Sequence, residues 1–252
     1  VAKGYKAGGF NTQMFSEVLQ NSVMERMGVY WDRHYDIDRV VAYKPEKSWN
    51  FEVGSHFAFA DGRIRGEATL FYILCRDQQL TVFPEGQVTG RLMTNAGRTR
   101  SFGGEASLLA TLWRNLDLQV AYGYTRATFV KFDTGKADYA GNFIPYAPQH
   151  TLYAGASYTL RTGWNWLEYV IFRVAANGAG RIYWNEANTF SQPFYALLEA
   201  SIRFEHRHWA VDVWGRNLTD TRYDTFYFMS IGNSFLQRGR PRTFGVSLSI
   251  TL

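Results

Sequence analysis

Along most of this chain, apolar and polar residues alternate with a period of two. From Trp49 to Phe59 one set of positions holds Trp49, Phe51, Val53, Phe57 and Phe59, and the other holds Asn50, Glu52, Gly54, His56 and Ala58. From Thr243 to Leu252, Phe244, Val246, Leu248, Ile250 and Leu252 alternate with residues that are small or hydroxylated. Successive side chains of a strand point to opposite faces, so this period reads as strands with one apolar face. Applied along the chain, it predicts roughly nine or ten strands. After a long irregular opening they run over Trp49 to Phe59, Ile64 to Leu74, Phe102 to Trp113, Leu118 to Phe129, Thr151 to Leu160 and Asn165 to Ala176. The last three are Tyr195 to Phe204, Trp209 to Asn217 and Arg242 to Leu252.

A single strand leaves open whether its apolar face meets a protein core or lipid. The connections decide. Those at Asp61-Gly62, Asn115, Thr162-Gly163 and Arg207 are tight turns, and Asp-Gly is a strong hairpin signal because Gly accepts positive φ. The connections Gly8 to Lys47, Arg76 to Thr94, Lys131 to Gln149, Asn177 to Pro193 and Leu218 to Arg240 are long. A soluble β-sandwich with Greek-key links does not sort its loops so regularly. An outer-membrane barrel does, with short periplasmic turns and long extracellular loops. The predicted strands are also longer than the usual ~5–6 residues of soluble sheets and fit the ~9–11 of a tilted membrane strand. Trp49, Phe59, Trp113, Trp164, Trp166 and Trp209 sit near strand ends, where a ring suits the lipid–water interface. Glu52, Glu67, Glu105, Glu199, Arg203 and Asp212 fall mid-strand on the polar side, costly in a dry core and ordinary in a wet lumen. The expected fold is all-β, an antiparallel up-and-down transmembrane β-barrel with one short loop helix.

Composition narrows the picture further. The 252 residues are 17% aromatic with a net charge of +5, and the mean hydropathy is −0.27. No run approaches the ~18 apolar residues of a membrane helix, which excludes a helical membrane protein but not a barrel. The basic residues are scattered without a block that would grip nucleic acid, so no nucleic-acid partner is expected. Cys75 is the single cysteine, giving no internal disulfide and no metal site. "VAKGYKAGGF" carries no signal peptide, so either a leader has been removed or the chain is a piece of something longer, and it reads as a piece. The five histidines, His34, His56, His150, His206 and His208, show no metal-binding spacing. His34 beside Asp32, Asp36 and Asp38 is the one local acid–base grouping, and nothing specifies it as catalytic. No catalytic residue and no cofactor are expected.

Four motifs then occur in order: "GYKAGGFN" (Gly4 to Asn11), "YKPEKSWNFEVG" (Tyr43 to Gly54), "GRNLTDTRYD" (Gly215 to Asp224) and "RGRPRTFGVSLSITL" (Arg238 to Leu252). Together they resemble the C-terminal part of TonB-dependent outer-membrane receptors. The resemblance implies that residues 1–252 are the C-terminal part of a barrel of about 22 strands, with the plug domain and N-terminal strands absent from this chain. It implies localisation in the bacterial outer membrane and uptake of a scarce solute: ferric siderophore, cobalamin, glycan or peptide. The partners it implies are TonB, acting through the missing N-terminal region and powered by the inner-membrane proton gradient, and an extracellular solute ligand. Outer-membrane lipid and lipopolysaccharide complete the list. Pro45, Pro241, Asn217 and Asp220 are expected to have structural duties at strand ends. Leu252 stands where such chains commonly end in an aromatic residue.

Two loops carry candidate ligand contacts. Met14 to Met27 has the apolar spacing of a short amphipathic helix, capped at Asn11 or Thr12 and closed by Gly28. Beside it "YWDRHYDID" supplies Trp31, Arg33, His34 and Tyr35, a mix that can grip a chelate, glycan or peptide, or stack on itself. The aromatic run "YDTFYFMS" supplies Phe226 and Tyr227, for loop packing or ligand contact. The competing readings are a complete small barrel of about ten strands acting as porin or adhesin, and a soluble β-sandwich that binds carbohydrate.

Overall fold

The computed structural model describes residues 1–11, 42–82, 92–133, 137–230 and 233–251. The expected helix at Met14 to Met27 lies outside the described residues. In chain order the strands are β1 (Ala2–Lys6), β2 (Gly9–Phe10), β3 (Ala42–Tyr43), β4 (Glu46–Phe59), β5 (Ile64–Val82), β6 (Leu92–Trp113), β7 (Leu116–Lys131) and β8 (His150–Trp164). There follow β9 (Leu167–Ala179), β10 (Ile182–Tyr183), β11 (Ser191–Gln192), β12 (Tyr195–His206), β13 (Trp209–Arg216), β14 (Asp224–Ser230), β15 (Asn233–Arg238) and β16 (Thr243–Ile250).

Ten of them form one sheet in the order β1-β4-β5-β6-β7-β8-β9-β12-β13-β16. Every adjacent pair is antiparallel. The pairs β2–β3, β10–β11 and β14–β15 are small hairpins set in the long connections. This is an up-and-down meander, as the loop lengths predict. Its two edges, β1 and β16, do not pair with each other, so the sheet is open among the described residues.

The sheet curls, and its curl separates the two faces. One cavity of about 530 Å³ is touched by Glu67, Ser107, Gly123, Thr151, Asn177 and Tyr195. These residues come from six adjacent strands, which laid flat would span ~24 Å at the usual ~4.8 Å spacing. The polar face is therefore the concave one. The apolar face is convex and bare: Phe244 is 70% exposed, Val246 68% and Leu248 65%. Among the described residues no second sheet covers it, which counts against the sandwich reading. Apolar side chains left outside without a protein partner are stable only against lipid. Glu52, Glu67, Glu105, Glu199, Arg203 and Asp212 all lie on the concave face, by their register with one another's neighbours.

The strands also differ from the expectation in places. The opening is not wholly irregular, because β1 pairs with β4 from Ala2↔Asn50 to Lys6↔Glu46. The loop expected from Arg76 to Thr94 is shorter, since β5 continues to Val82 and β6 begins at Leu92. Beyond the lipid both faces meet water, so the apolar period that reveals a strand is lost while backbone pairing continues. β8 runs through Gly163, whose φ is +78°, with a register shift between Arg161 and Trp164. That bulge moves the turn from "RTGW" to Asn165 and Trp166.

A small core closes the loop end. Ala96, Ala127, Phe129, Phe132 and Ile144 are buried together, with Leu80, Tyr139 and Ala147 against them. Here β8 has not yet begun, and the loop takes its place beside β7. The Phe129 amide donates to the Asn142 carbonyl at 2.9 Å, and the Ile144 amide to the Ala127 carbonyl at 3.0 Å.

Candidate functional site

Short side-chain amides tie three long connections into one body at the loop end. Asn188, held at φ +57°, accepts from the Phe143 amide at 2.7 Å and donates to the Phe143 carbonyl at 2.9 Å. Asn142 donates to the Glu186 carbonyl at 2.9 Å. Asn185 accepts from the amides of Thr189 (3.0 Å) and Phe190 (3.3 Å), which shapes the bend between β10 and β11. Gln192, buried to 6% exposure, accepts from the Asp224 amide at 2.9 Å and so fastens β11 to β14. Buried backbone groups must be paired, and these amides pair them where sheet bonding has stopped.

On that frame sit several ring pairs. Tyr146 stacks on Phe226 with centroids 5.4 Å apart and planes at 20°, and meets Trp184 at 5.6 Å. Its hydroxyl donates to the Tyr227 carbonyl at 3.0 Å. Burial pushes that hydroxyl's pKa up to about 12, and the Glu186 carboxylate adds to the rise. The Tyr227 ring stacks on Phe190 at 4.8 Å, and Tyr223 on Tyr195 at 4.5 Å. Gly239 admits this second stack, because a Cβ there would stand 2.0 Å from the Tyr223 ring. Arg126 lies over the Phe143 ring at 5.6 Å.

Phe226 and Tyr227 are thus half-buried members of a loop-to-loop wall. Tyr146, Trp184 and Phe190, on two other connections, complete it, and sequence reading missed them. Their signal was the Asn-rich bend after Trp184, which only a fold could link to residues 226 and 227. Trp31, Arg33, His34 and Tyr35 lie outside the described residues. The wall offers flat π surfaces, phenol hydroxyls and backbone carbonyls, suited to a ligand with planar or polarisable groups.

Asn217 and Asp220 have the structural duties expected of them. Asn217 is 4% exposed and donates to the carbonyls of Thr221 and Arg240, both at 3.0 Å. It also accepts from the Thr221 amide at 2.9 Å. Asp220 accepts from the Arg242 amide at 3.0 Å. The segments "GRNLTDTRYD" and "RGRPRTFG" are therefore clamped side by side. At the other end of the chain, Asn11 accepts from the Met93 amide and donates to its carbonyl, both at 2.8 Å. Glu46 accepts from the Gln79 amide at 2.8 Å, and Gln79 donates to the Ala7 carbonyl at 2.7 Å.

The concave face is polar and charged. Glu67 lies 3.4 Å from His56 and accepts from Ser107 at 3.2 Å. Arg203 pairs with Glu205 at 2.7 Å. A second cavity of about 490 Å³ includes Gln119, Ser157, Arg173, Glu199 and Asp212. Among the described residues no group of three His, Cys, Asp or Glu is placed to hold a metal ion.

The family described as TonB dependent receptor-like, beta-barrel matches residues 1–218. The chain belongs to that family. Barrels of this family lie in the bacterial outer membrane, and the family is one of receptors. The pesticin receptor of Yersinia pestis is 27% identical to this receptor barrel over 256 residues, covering 99% of this chain and 33% of that protein. The chain thus spans about one third of the length of the curated relatives it matches. The crystal structure of the ferric yersiniabactin uptake receptor FyuA from Yersinia pestis superposes with a TM-score of 0.74 at 23% identity, over 99% of this chain and 34% of that one. The siderophore receptor PiuA from Acinetobacter baumannii gives a TM-score of 0.64 at 20% identity, over 82% of this chain and 28% of that one.

Proposed function

We propose that the complete protein is a TonB-dependent receptor that takes up a ferric siderophore across the outer membrane. The observation that carries this reading is the aromatic wall. Three connections at one end of a receptor barrel are fused around Tyr146, Phe226 and Tyr227, while the opposite end is trimmed to turns. A wall built at one end only serves a ligand arriving from that side. The relatives named above favour a ferric siderophore over cobalamin, glycan or peptide. Phe226 and Tyr227 contact the ligand from this wall, and Trp31, Arg33, His34 and Tyr35 contribute further contacts.

The chain itself supplies the C-terminal part of the barrel, and the remaining strands and the plug come from further sequence of the same protein. The open edges β1 and β16 and the one-third coverage of the relatives support this over a complete small porin or adhesin. Uptake is driven by TonB acting on the plug, so no catalytic residue is required and the protein is not an enzyme. Its convex face contacts outer-membrane lipid and lipopolysaccharide.

Deleting the gene for the complete protein should abolish accumulation of radiolabelled ferric siderophore in iron-starved cells, and re-expression should restore it. Replacing both Phe226 and Tyr227 by Ala should weaken binding about tenfold, in line with the loss of two ring contacts. Unchanged iron accumulation together with lost cobalamin or glycan uptake would overturn the ligand class.

A further inference from the structure

Tyr146 holds a backbone conformation that its residue type does not favour. Its φ is +63°, in the left-handed region where Gly and Asn are at ease and a bulky side chain is not. Pro145 precedes it, and the two residues form a turn. A turn with Pro first and positive φ second ordinarily places Gly or Asn at that second position. A tyrosine there costs backbone energy, which persists only where contacts of the side chain offset it. The segment has little room to relax. Ile144 lies in the buried core of the loop end and Ala147 packs against that core, while Pro145 and Pro148 fix φ on either side.

Those contacts reach both of the other connections in the wall. The Tyr146 amide donates to the Tyr183 carbonyl at 2.8 Å. Its ring meets Trp184, itself only 6% exposed, at 5.6 Å. Tyr183 and Trp184 belong to the connection between β9 and β12. On the other side the ring stacks on Phe226 and the hydroxyl donates to the Tyr227 carbonyl at 3.0 Å, and both of these residues are on β14. With its pKa pushed up to about 12, the phenol keeps its proton and remains a donor throughout the neutral range. Tyr146 is still 36% exposed, so it braces the surface of the wall and is not a ring of the buried core.

We propose that Tyr146 is the positioning residue of the ligand wall. One side chain fixes Phe226 by stacking and Tyr227 through its carbonyl, so both contact residues are set before a ligand arrives. Contacts that are already ordered lose less freedom on binding, which raises affinity without adding a new contact. The left-handed turn aims the side chain between the two connections, and this accounts for a tyrosine where Gly or Asn would be less strained. The role rests on the siderophore-receptor reading for its ligand, whereas the ordering of the two connections stands apart from it.

The test compares two variants of the complete receptor. Tyr146→Phe keeps the ring and loses the hydroxyl; Tyr146→Asn keeps tolerance of positive φ and loses both ring contacts. In the ligand-free receptor, backbone hydrogen exchange within 182–192 and 224–230 should quicken about tenfold in Tyr146→Asn and about threefold in Tyr146→Phe. The Tm should stay at the wild-type value, because the sheet sets it and relief of the turn offsets the lost stacking. Cells are then supplied with radiolabelled iron as ferric yersiniabactin, ferric enterobactin or ferrichrome. For the chelate that the wild type takes up, the half-saturating concentration should rise about tenfold in Tyr146→Asn and about threefold in Tyr146→Phe, with the maximal rate unchanged. A merely structural fault would instead lower the maximal rate, through fewer folded receptors. Unchanged exchange in Tyr146→Asn would overturn the positioning role with or without a chelate, and so would quickened exchange with an unchanged half-saturating concentration. Uptake of none of the three chelates by the wild type would count against the siderophore reading, and joint quickening of exchange in both segments would still support Tyr146 as the residue that orders the wall.

Discussion

At the turn end, β12 passes to β13 across Arg207 and His208 alone, and β8 to β9 across Asn165 and Trp166, where the Thr162 hydroxyl donates to the Leu167 carbonyl. At the loop end the same strands are linked through residues far apart in sequence. Asn217 reaches Arg240, Gln192 reaches Asp224, and Asn188 reaches Phe143. The turn end is thus local: a few positive-φ residues and short bonds complete it, and Trp113, Trp164 and Trp166 point outward, exposed, to the interface. The loop end is non-local, and each amide there replaces a ladder bond that no neighbouring strand supplies. A change at the turn end should remain a local matter, whereas one at the loop end should loosen several connections together.

The largest effect is expected at Asn217. Asn217→Ala removes three hydrogen bonds at a residue that is 4% exposed with φ +49°. It should lower the stability of the complete receptor by about 3 kcal/mol, since buried backbone groups lose their partners. Denaturant unfolding in detergent measures this, and a loss as small as that of a turn residue would break the contrast between the ends. Gln192→Ala should cost about 1–2 kcal/mol and show itself as faster proteolysis within both 180–194 and 218–240; cleavage confined to one connection would argue against a single fused wall.

Tyr146 provides a pH handle on the same end. Its folded pKa of about 12 stands above the ordinary 10.0, so the folded wall holds the proton that the unfolded chain releases. The stability this contributes is full below about pH 10 and declines as pH rises from 10 towards 12. Phenolate absorbance should report a late-titrating tyrosine that Tyr146→Phe removes. The smallest effect is expected at His208, in the two-residue turn, where His208→Ala should change stability by less than ~0.5 kcal/mol.

The barrel wall was legible because lipid on one side and water on the other impose the alternation on every strand between them. Phe244, Val246 and Leu248 could be assigned a shared face from spacing alone. The extension of β5 past Leu74, the start of β6 before Phe102 and the pairing of β1 were not legible. Arg76, Asp77, Gln78 and Gln79 carry no apolar period, and their strand is held by backbone bonds that any residue can make. The candidate wall was legible only in part: Phe226 and Tyr227 stand out as an aromatic run, but their partners Tyr146 and Phe190 lie in other connections.

By itself the sequence determined strand period, most turn positions, the identity of the lipid-facing residues and, through four ordered motifs, the family. These depend on near neighbours and on the solvent each face meets. The structure alone decided register and loop docking. Register places Lys47, Arg76 and Arg98 in one row, although they are spread over three strands and nothing in their local sequence marks them. Loop docking depends on hydrogen bonds spanning up to 82 residues, as between Asn11 and Met93, and a contact so distant in sequence exists only after the strands between have fixed where each end lies.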